Sequence, residues 1–395
     1  MIKVLLISPT DPKKPGDLRL LVGGENTYSQ TLINKAPEGV IYTYHMDALK
    51  KGLISYLPIH YFLRYLVKLR ILPLSAGTEA IKINADFDLV HCHGYSVKIV
   101  SKKKIPIVMS DSSSNYLFLR DYVFSPEWRI RIGYFLRQRL FRWLGVIDCD
   151  TNWQEAKKIV VLSKFAERVH QKLGVPDKKI KVVYPGISVI RNRGSWESKQ
   201  SLRSSSLDRF GTAGLKGSRG NGVNILFVGI WFERKGGPMV LAAFKKLSLK
   251  YKNIKLTIVG PIPDRDTYNG SRVTHYDFLP REKLMREIFP KADIFVLVPP
   301  VAEGFGFAVL EAMALGIPAV VSNVYALPEL VDDKKTGFVI EPGNLDHLVT
   351  KLETLIANQK LRAAMGKAAR EKFEENFSIK KLHYNLLKVY REVLS

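Results

Sequence analysis

Glu303 and Glu311 stand eight positions apart in the stretch Glu303-Gly-Phe-Gly-Phe-Ala-Val-Leu-Glu311-Ala-Met-Ala-Leu-Gly-Ile-Pro-Ala-Val-Val-Ser322. An ionised carboxylate that accepts from a vicinal diol makes charge-assisted hydrogen bonds worth about 1.5 to 3 kcal/mol each. A helix is expected to start after Gly306, which leaves Glu303 in a loop and Glu311 more than a turn into the helix. The N–H groups of Gly304, Phe305, Gly306 and Phe307 then lie at a positive helix end, able to hold an anion or sugar hydroxyls. Two glutamates at this spacing also arise by chance in many helices, so the surrounding residues have to decide.

Other groups could join them. Arg234 and Lys235 precede Gly236 in Phe227-Val-Gly-Ile-Trp-Phe-Glu-Arg-Lys-Gly236, where they are either phosphate-binding cations or a solvated basic pair. Gly23 and Gly24, after the first apolar run, would let the backbone approach a phosphate, although a Gly-Gly pair is more often a plain turn. His91 and His93 are two apart, so on a strand they face the same way and could chelate a metal. His45, His60, His170, His275, His347 and His383 supply no obvious completing cluster, and a buried structural histidine is the simpler reading. Three Asp-x-Asp hits, at Asp86/Asp88, Asp148/Asp150 and Asp264/Asp266, are the number that chance supplies, and no metal is expected.

These residues need strands and helices to place them. Residues 2–7, 88–91, 105–109, 158–162 and 180–183 are short β-branched runs separated by helical stretches. The pattern resumes at 224–229, 254–260, 293–298 and 317–322. Strand alternating with helix means a parallel sheet covered on both faces, here twice over. Of the 32 residues from Arg191 to Gly222, 20 are Ser, Gly, Lys or Arg, which reads as a linker or insertion with little to bury. The expected division is therefore an α/β domain over 1–190, a basic segment over 191–222, a second α/β domain over 223–377 and a terminal helix over 378–395. That helix spaces Leu382, Leu386, Val389 and Val393 along one face.

The Glu303–Ser322 stretch, continued by Pro328-Glu-Leu-Val and Thr336-Gly-Phe-Val-Ile-Glu-Pro-Gly343, resembles the donor-binding signature of retaining GT-B glycosyltransferases of the family 4 kind. The resemblance reaches back through Phe227–Gly236, Asp88-Leu-Val-His-Cys-His-Gly94 and Leu21-Val-Gly-Gly-Glu-Asn-Thr. It implies two Rossmann-like domains facing across a cleft, with the C-terminal helix crossing back to the first. The implied reaction moves a hexose from a nucleoside-diphosphate sugar to an acceptor with retention of configuration, and needs neither cofactor nor metal. It makes His93, Glu303 and Lys235 the catalytic candidates. Glu311 would hold the ribose, Glu303 and the N–H groups of residues 304–307 the hexose, and Lys235 the pyrophosphate. The sequence departs from the family at Ile230, where an arginine is usual, and Arg234 is the candidate to supply that guanidinium. A sugar-nucleotide epimerase and a non-catalytic nucleotide-sugar binder share the fold and stand as alternatives.

Charge and composition bear on the acceptor. The 395 residues carry a formal charge of +24, with +13 in residues 1–190, +5 in 191–222 and only +6 in 223–395. No recognised nucleic-acid motif accompanies that excess, so nucleic acid is not expected as a partner. Residues 128–143 interleave Arg129, Arg131, Arg137, Arg139 and Arg142 with Trp128, Tyr134, Phe135, Phe141 and Trp143. Residues 53–72 mix Tyr56, Tyr61, Phe62 and Tyr65 with Arg64, Lys68 and Arg70. Basic aromatic helices suit an anionic bilayer surface, which makes a lipid-linked or glycan acceptor the expectation; the bland reading packs these apolar faces into the core. The first residues fall short of a signal peptide and Cys92 and Cys149 form no disulfide framework, so a cytoplasmic location, peripheral on the inner membrane face, is expected.

Overall fold

The computed structural model describes residues 1–8, 24–68, 78–112, 117–122, 125–187, 222–263 and 272–395. Gly23, Asp264, Asp266, Arg70 and all of the 191–222 segment except Gly222 lie outside the described residues. The chain divides into two compact units, one of Met1–Gly186 with Ile379–Ser395 and one of Ile187–Ser378.

The first unit is built on strands β1 (Ile2–Ile7), β2 (Val40–Tyr44), β5 (Leu89–His93), β7 (Ile107–Asp111), β8 (Lys158–Val161) and β9 (Ile180–Val182). They form one parallel sheet in the order β2-β1-β5-β7-β8-β9. Every residue of β5 is buried, as expected of a strand covered on both faces. A small sheet of β3 (Ile54–Tyr56), β4 (Thr78–Ile83) and β6 (Ser96–Ser101) lies beside it, with β3 antiparallel to β4. Its pieces are too short and mixed in character to stand out in the hydrophobic pattern. Its helices up to residue 186 include, among the described residues, α1 (Gly24–Asn34), α2 (His45–Lys50), α3 (Pro58–Lys68), α4 (Glu127–Leu144) and α5 (Lys164–Lys172).

The second unit repeats the plan with β10 (Val223–Val228), β11 (Ile254–Val259), β12 (Val273–Tyr276), β13 (Ile294–Leu297), β14 (Ala319–Ser322) and β15 (Gly337–Ile340). All pair in parallel, in the order β12-β11-β10-β13-β14-β15. Counted along the unit this is 3-2-1-4-5-6, whose order reverses between β10 and β13. Residues 337–340 form the edge strand β15. Gly337 is needed there because a Cβ would fall 2.1 Å from the Ala319 carbonyl oxygen. Among the described residues the helices of this unit include α6 (Gly237–Lys250), α7 (Phe307–Ala314), α8 (Leu327–Leu330), α9 (Leu345–Ala357) and α10 (Gln359–Asn376).

The terminal helix α11 (Ile379–Leu394) belongs to the first unit and buries Leu382, Leu386, Val389 and Tyr390. Tyr390 shows why: its hydroxyl lies 2.5 Å from His91 Nδ1 and 2.9 Å from the Tyr42 hydroxyl. Ser110 Oγ is 2.8 Å from His91 Nε2, so both ring nitrogens of His91 are engaged by hydroxyls. Burial, with His93 close by, pushes the His91 pKa down to about 3. An unfolded His91 takes up its proton near pH 6.5, whereas the native imidazole stays neutral until about pH 3. Unfolding is therefore favoured progressively as pH falls from about 6.5 towards 3, by roughly 1.4 kcal/mol per pH unit from this one group. Calorimetry should show a melting temperature that drops between pH 7 and pH 5, and drops less in His91→Gln.

Candidate functional site

In an open parallel sheet, ligands bind outside the carboxyl ends of the strands where the strand order reverses. In the second unit that point lies beyond β10 and β13, which pair side by side from Ile225↔Ile294 to Phe227↔Val296. The loop leaving β10 carries Arg234 and Lys235. The loop leaving β13 carries Glu303.

The two loops meet through their side chains. The Lys235 ammonium donates to the Glu303 carboxylate, and Arg234 Nη1 stands 3.9 Å from the same oxygen while donating to the Ala302 carbonyl at 3.4 Å. Glycine makes the approach possible. Gly236, with φ of 85°, caps α6 in the left-handed region, and a Cβ there would lie 2.1 Å from the Val298 carbonyl oxygen at the end of the β13 strand run. Only a bare backbone lets the Lys235 loop close down on the Glu303 loop. Burial pushes the Lys235 pKa down, and Glu303 opposes that shift.

Gly306 is also left-handed, with φ of 90°, and caps α7. Glu311 is the fifth residue of this helix and almost wholly buried. Its Oε1 accepts from Arg281 Nε at 2.7 Å. Burial raises the Glu311 pKa, and the Arg281 guanidinium pulls it back towards the ionised form. Arg281 follows Pro280 directly after the loop that leaves β12, and nothing in the sequence pattern ties it to a glutamate thirty positions on. Among the described residues its buried Nη2 has no hydrogen-bond partner, which leaves a donor beside the carboxylate. Phe305 and Phe307 turn their rings inwards, 5.6 Å apart between centroids, with Phe305 also against Phe377. The first N–H groups of a helix lack intrahelical acceptors, so the start of α7 at Phe307 is its positive, donor-rich end.

The site thus sets cations and N–H donors for a polyanion beside carboxylates suited to hydroxyls. Two family models match the chain, Glycosyltransferase Family 4 over residues 26–191 and Glycosyl transferases group 1 over residues 216–372. The chain belongs to the GT-B glycosyltransferases of the family 4 type. This glycosyltransferase is 25% identical over 320 residues to an uncharacterized glycosyltransferase of Methanocaldococcus jannaschii, covering 77% of this chain and 75% of that one. It is 29% identical over 177 residues to the capsular polysaccharide biosynthesis glycosyltransferase CapM of Staphylococcus aureus, spanning 42% of this chain and under half, 46%, of that one. Its fold matches Anabaena Alr3699/HepE, solved in complex with UDP-glucose, with a TM-score of 0.60, 15% identity and coverage of 99% and 100% of the two chains.

The remaining candidate residues of this glycosyltransferase lie in its first unit. Gly24 is the first residue of α1. His93 ends β5, fully buried, with Nδ1 2.8 Å from Ser110 Oγ and its ring 4.5 Å from that of Tyr28. His91 and His93 thus share a serine hydroxyl, and His91 has no ring nitrogen left for a metal. Four of the Asp-x-Asp carboxylates have structural tasks. Asp88 accepts from the Lys3 N–H, Asp86 meets Lys103, Asp148 pairs with buried Arg137 at 2.8 Å, and Asp150 accepts from the Tyr134 hydroxyl.

Proposed function

We propose that this glycosyltransferase transfers a hexose from a nucleoside-diphosphate sugar to a lipid or lipid-linked glycan acceptor at an anionic membrane surface, with retention of configuration and without a metal. The observation that carries the donor assignment is the meeting of Lys235 and Glu303 outside two adjacent strands at the reversal point of the sheet. The likeness to a fold solved with UDP-glucose supports it.

In this reading Glu311 accepts from the ribose hydroxyls, and Glu303 with the N–H groups of residues 304–307 orients the hexose. Lys235, assisted by Arg234 in place of the arginine missing at Ile230, takes the charge that develops as the glycosidic C–O bond breaks and the electron pair leaves with the diphosphate. The acceptor oxygen attacks from the same face and its proton passes to the departing phosphate oxygen, so no enzyme nucleophile is needed. His93, Gly23 and Gly24 are assigned to hexose orientation and the acceptor side. Preorganised charge aimed at the leaving group is the largest protein contribution in this scheme.

The membrane part rests on α3 and α4. Trp128, Ile132, Phe135, Leu136 and Trp143 are exposed along one stripe of α4, Trp143 by 81%. Exposed Arg129, Arg131, Arg139 and Arg142 run in and beside it, and Arg139 lies over the Phe135 ring at 4.3 Å. Tyr61, Phe62 and Tyr65 are exposed on α3 around Arg64. Leu63 of α3 and Phe141 and Leu144 of α4 share one small core, so the two exposed faces belong to one region. Arg137 and Phe141 turn out to be core residues rather than members of this surface, because they lie on the opposite side of α4 with Ile130 and Leu144. An apolar patch rimmed by arginines fits an anionic bilayer, where each basic residue near the surface adds ~1 kcal/mol. No helix among the described residues is long and apolar enough to cross a membrane.

Incubation with a panel of nucleotide sugars, with and without a membrane lipid extract, tests the reaction. Nucleoside diphosphate should appear with one donor and rise strongly with the extract. Release that ignores any acceptor and yields an isomerised sugar makes the protein an epimerase, and binding without release makes it a non-catalytic binder. Flotation on vesicles tests the surface: the protein should float with anionic but not zwitterionic lipid at low salt. Trp128→Ser with Trp143→Ser should lose most of that binding, and wild-type protein left at the bottom of the gradient would end the membrane assignment.

A further inference from the structure

We propose that Asp111, Cys149 and His170 of the first unit bind one thiophilic divalent cation, Zn²⁺ by preference, apart from the donor-handling residues of the second unit. A carboxylate oxygen of Asp111, the Cys149 sulfur and a ring nitrogen of His170 lie within 4.8 Å of one another. Zn–S of about 2.3 Å and Zn–N or Zn–O of about 2.0–2.2 Å would put such atoms about 3.3–3.8 Å apart in a tetrahedral site. The three groups need to close by about 1.5 Å at most.

His170 is the observation that points to a cation. It is fully buried on α5, and its Nδ1 lies 2.9 Å from the Ala166 carbonyl oxygen. A carbonyl can only accept, so Nδ1 carries a proton, and Nε2 is the nitrogen left to meet a ligand. That buried Nε2 has no hydrogen-bond partner. Asp150 Oδ1 stands 3.7 Å from it, and a proton or a metal cation is the species that can satisfy this nitrogen in a dry interior. Donation of one ring N–H to a backbone carbonyl is also how metal-ligating histidines are commonly oriented.

The other two ligands are equally well anchored. Asp111 ends β7 in the middle of the parallel sheet. Cys149 sits in a turn that Asp148 pins by accepting from the Thr151 and Asn152 N–H groups at 2.6 and 2.7 Å, and it is itself buried. Ser163 caps the helix that carries His170 by accepting from the Ala166 N–H. One sulfur, one imidazole and one carboxylate suit Zn²⁺ and disfavour the hard cations Mg²⁺ and Ca²⁺, which take oxygen ligands. With three protein ligands, a fourth position remains for water or a neighbouring carboxylate.

Full-length protein stripped with a chelator and given one equivalent of Co²⁺ tests this. The expected result is a thiolate-to-cobalt charge-transfer band in the near ultraviolet with intense tetrahedral visible bands, all displaced by one equivalent of Zn²⁺. Cys149→Ser should lose the charge-transfer band, and His170→Gln should weaken Zn²⁺ retention at least tenfold. Should either variant fail to fold, the wild-type spectrum still decides. Absence of the sulfur band in wild-type protein, or failure to retain near one Zn²⁺ per chain after desalting, overturns the proposal and leaves a proton as the species that His170 and Asp150 share.

Discussion

Replacing Lys235 with alanine is expected to lower donor turnover by about 10² to 10³-fold, the loss found when one preorganised charge or donor is removed from a developing anion. The site explains why the loss should fall on kcat more than on KM. A diphosphate gains charge as the sugar departs, so an ammonium aimed at it stabilises the transition state more than the bound donor. The substitution also has a structural consequence, because Glu303 is almost fully buried and pairs with Lys235. Removing one partner of a buried pair leaves the other charge uncompensated at a cost of about 3–5 kcal/mol, here reduced by Arg234 at 3.9 Å. Folding and chemistry separate in the double variant Lys235→Ala with Glu303→Gln, which should recover melting temperature without recovering rate. Steady-state diphosphate release beside thermal denaturation makes the measurement. Since burial lowers the Lys235 pKa, the wild-type rate should also fall on the alkaline side before an ordinary lysine would titrate. Near-normal turnover in Lys235→Ala would falsify the donor-site assignment.

The second large effect is expected at Glu311. Losing two charge-assisted hydrogen bonds to a diol, each worth about 1.5–3 kcal/mol, should weaken donor binding by about 10² to 10⁴-fold in Glu311→Ala. Titration calorimetry with the nucleoside diphosphate alone reads this without any acceptor. Arg281 adds a test of the geometry. Burial pushes Glu311 towards its protonated form and Arg281 holds it back, so Arg281→Ala raises the Glu311 pKa further. A protonated Glu311 presents a donor where an acceptor is wanted. Affinity in Arg281→Ala should therefore be weak near neutral pH and recover as pH rises through the higher pKa, while the wild type changes little. A flat loss at every pH would mean that Arg281 contacts the donor directly and does not act through the carboxylate.

Much of the local geometry of the proposed donor site was legible because its signals are local. Gly306 ahead of an apolar helical stretch marked the start of α7 and placed Glu311 one turn inside it. The strand runs at 224–229 and 293–298 stood out as continuous apolar segments, the mark of strands covered on both faces. Arg281 escaped because an arginine after a proline looks like any exposed helix start. Its value depends on β12 lying at the edge of the same sheet that carries α7. The basic aromatic helix α4 was half legible: its composition pointed to a surface, but which arginines faced out did not follow from composition. Arg137 turned inwards because Asp148, eleven positions on, met it in a dry interior.

The sequence alone determined the class of fold, the two-unit plan and the local form of the candidate site, since alternation of strand and helix, glycine at left-handed caps and carboxylate spacing are properties of neighbouring residues. Only the tertiary structure decided which strands stand side by side. That choice brings Lys235 to Glu303 across 68 positions and Tyr390 to His91 across 299. Hydrophobic periodicity says that a strand will be buried but is blind to the neighbour it is buried beside. Pairing across a sheet, and every charge that relies on it, is settled when the whole unit packs.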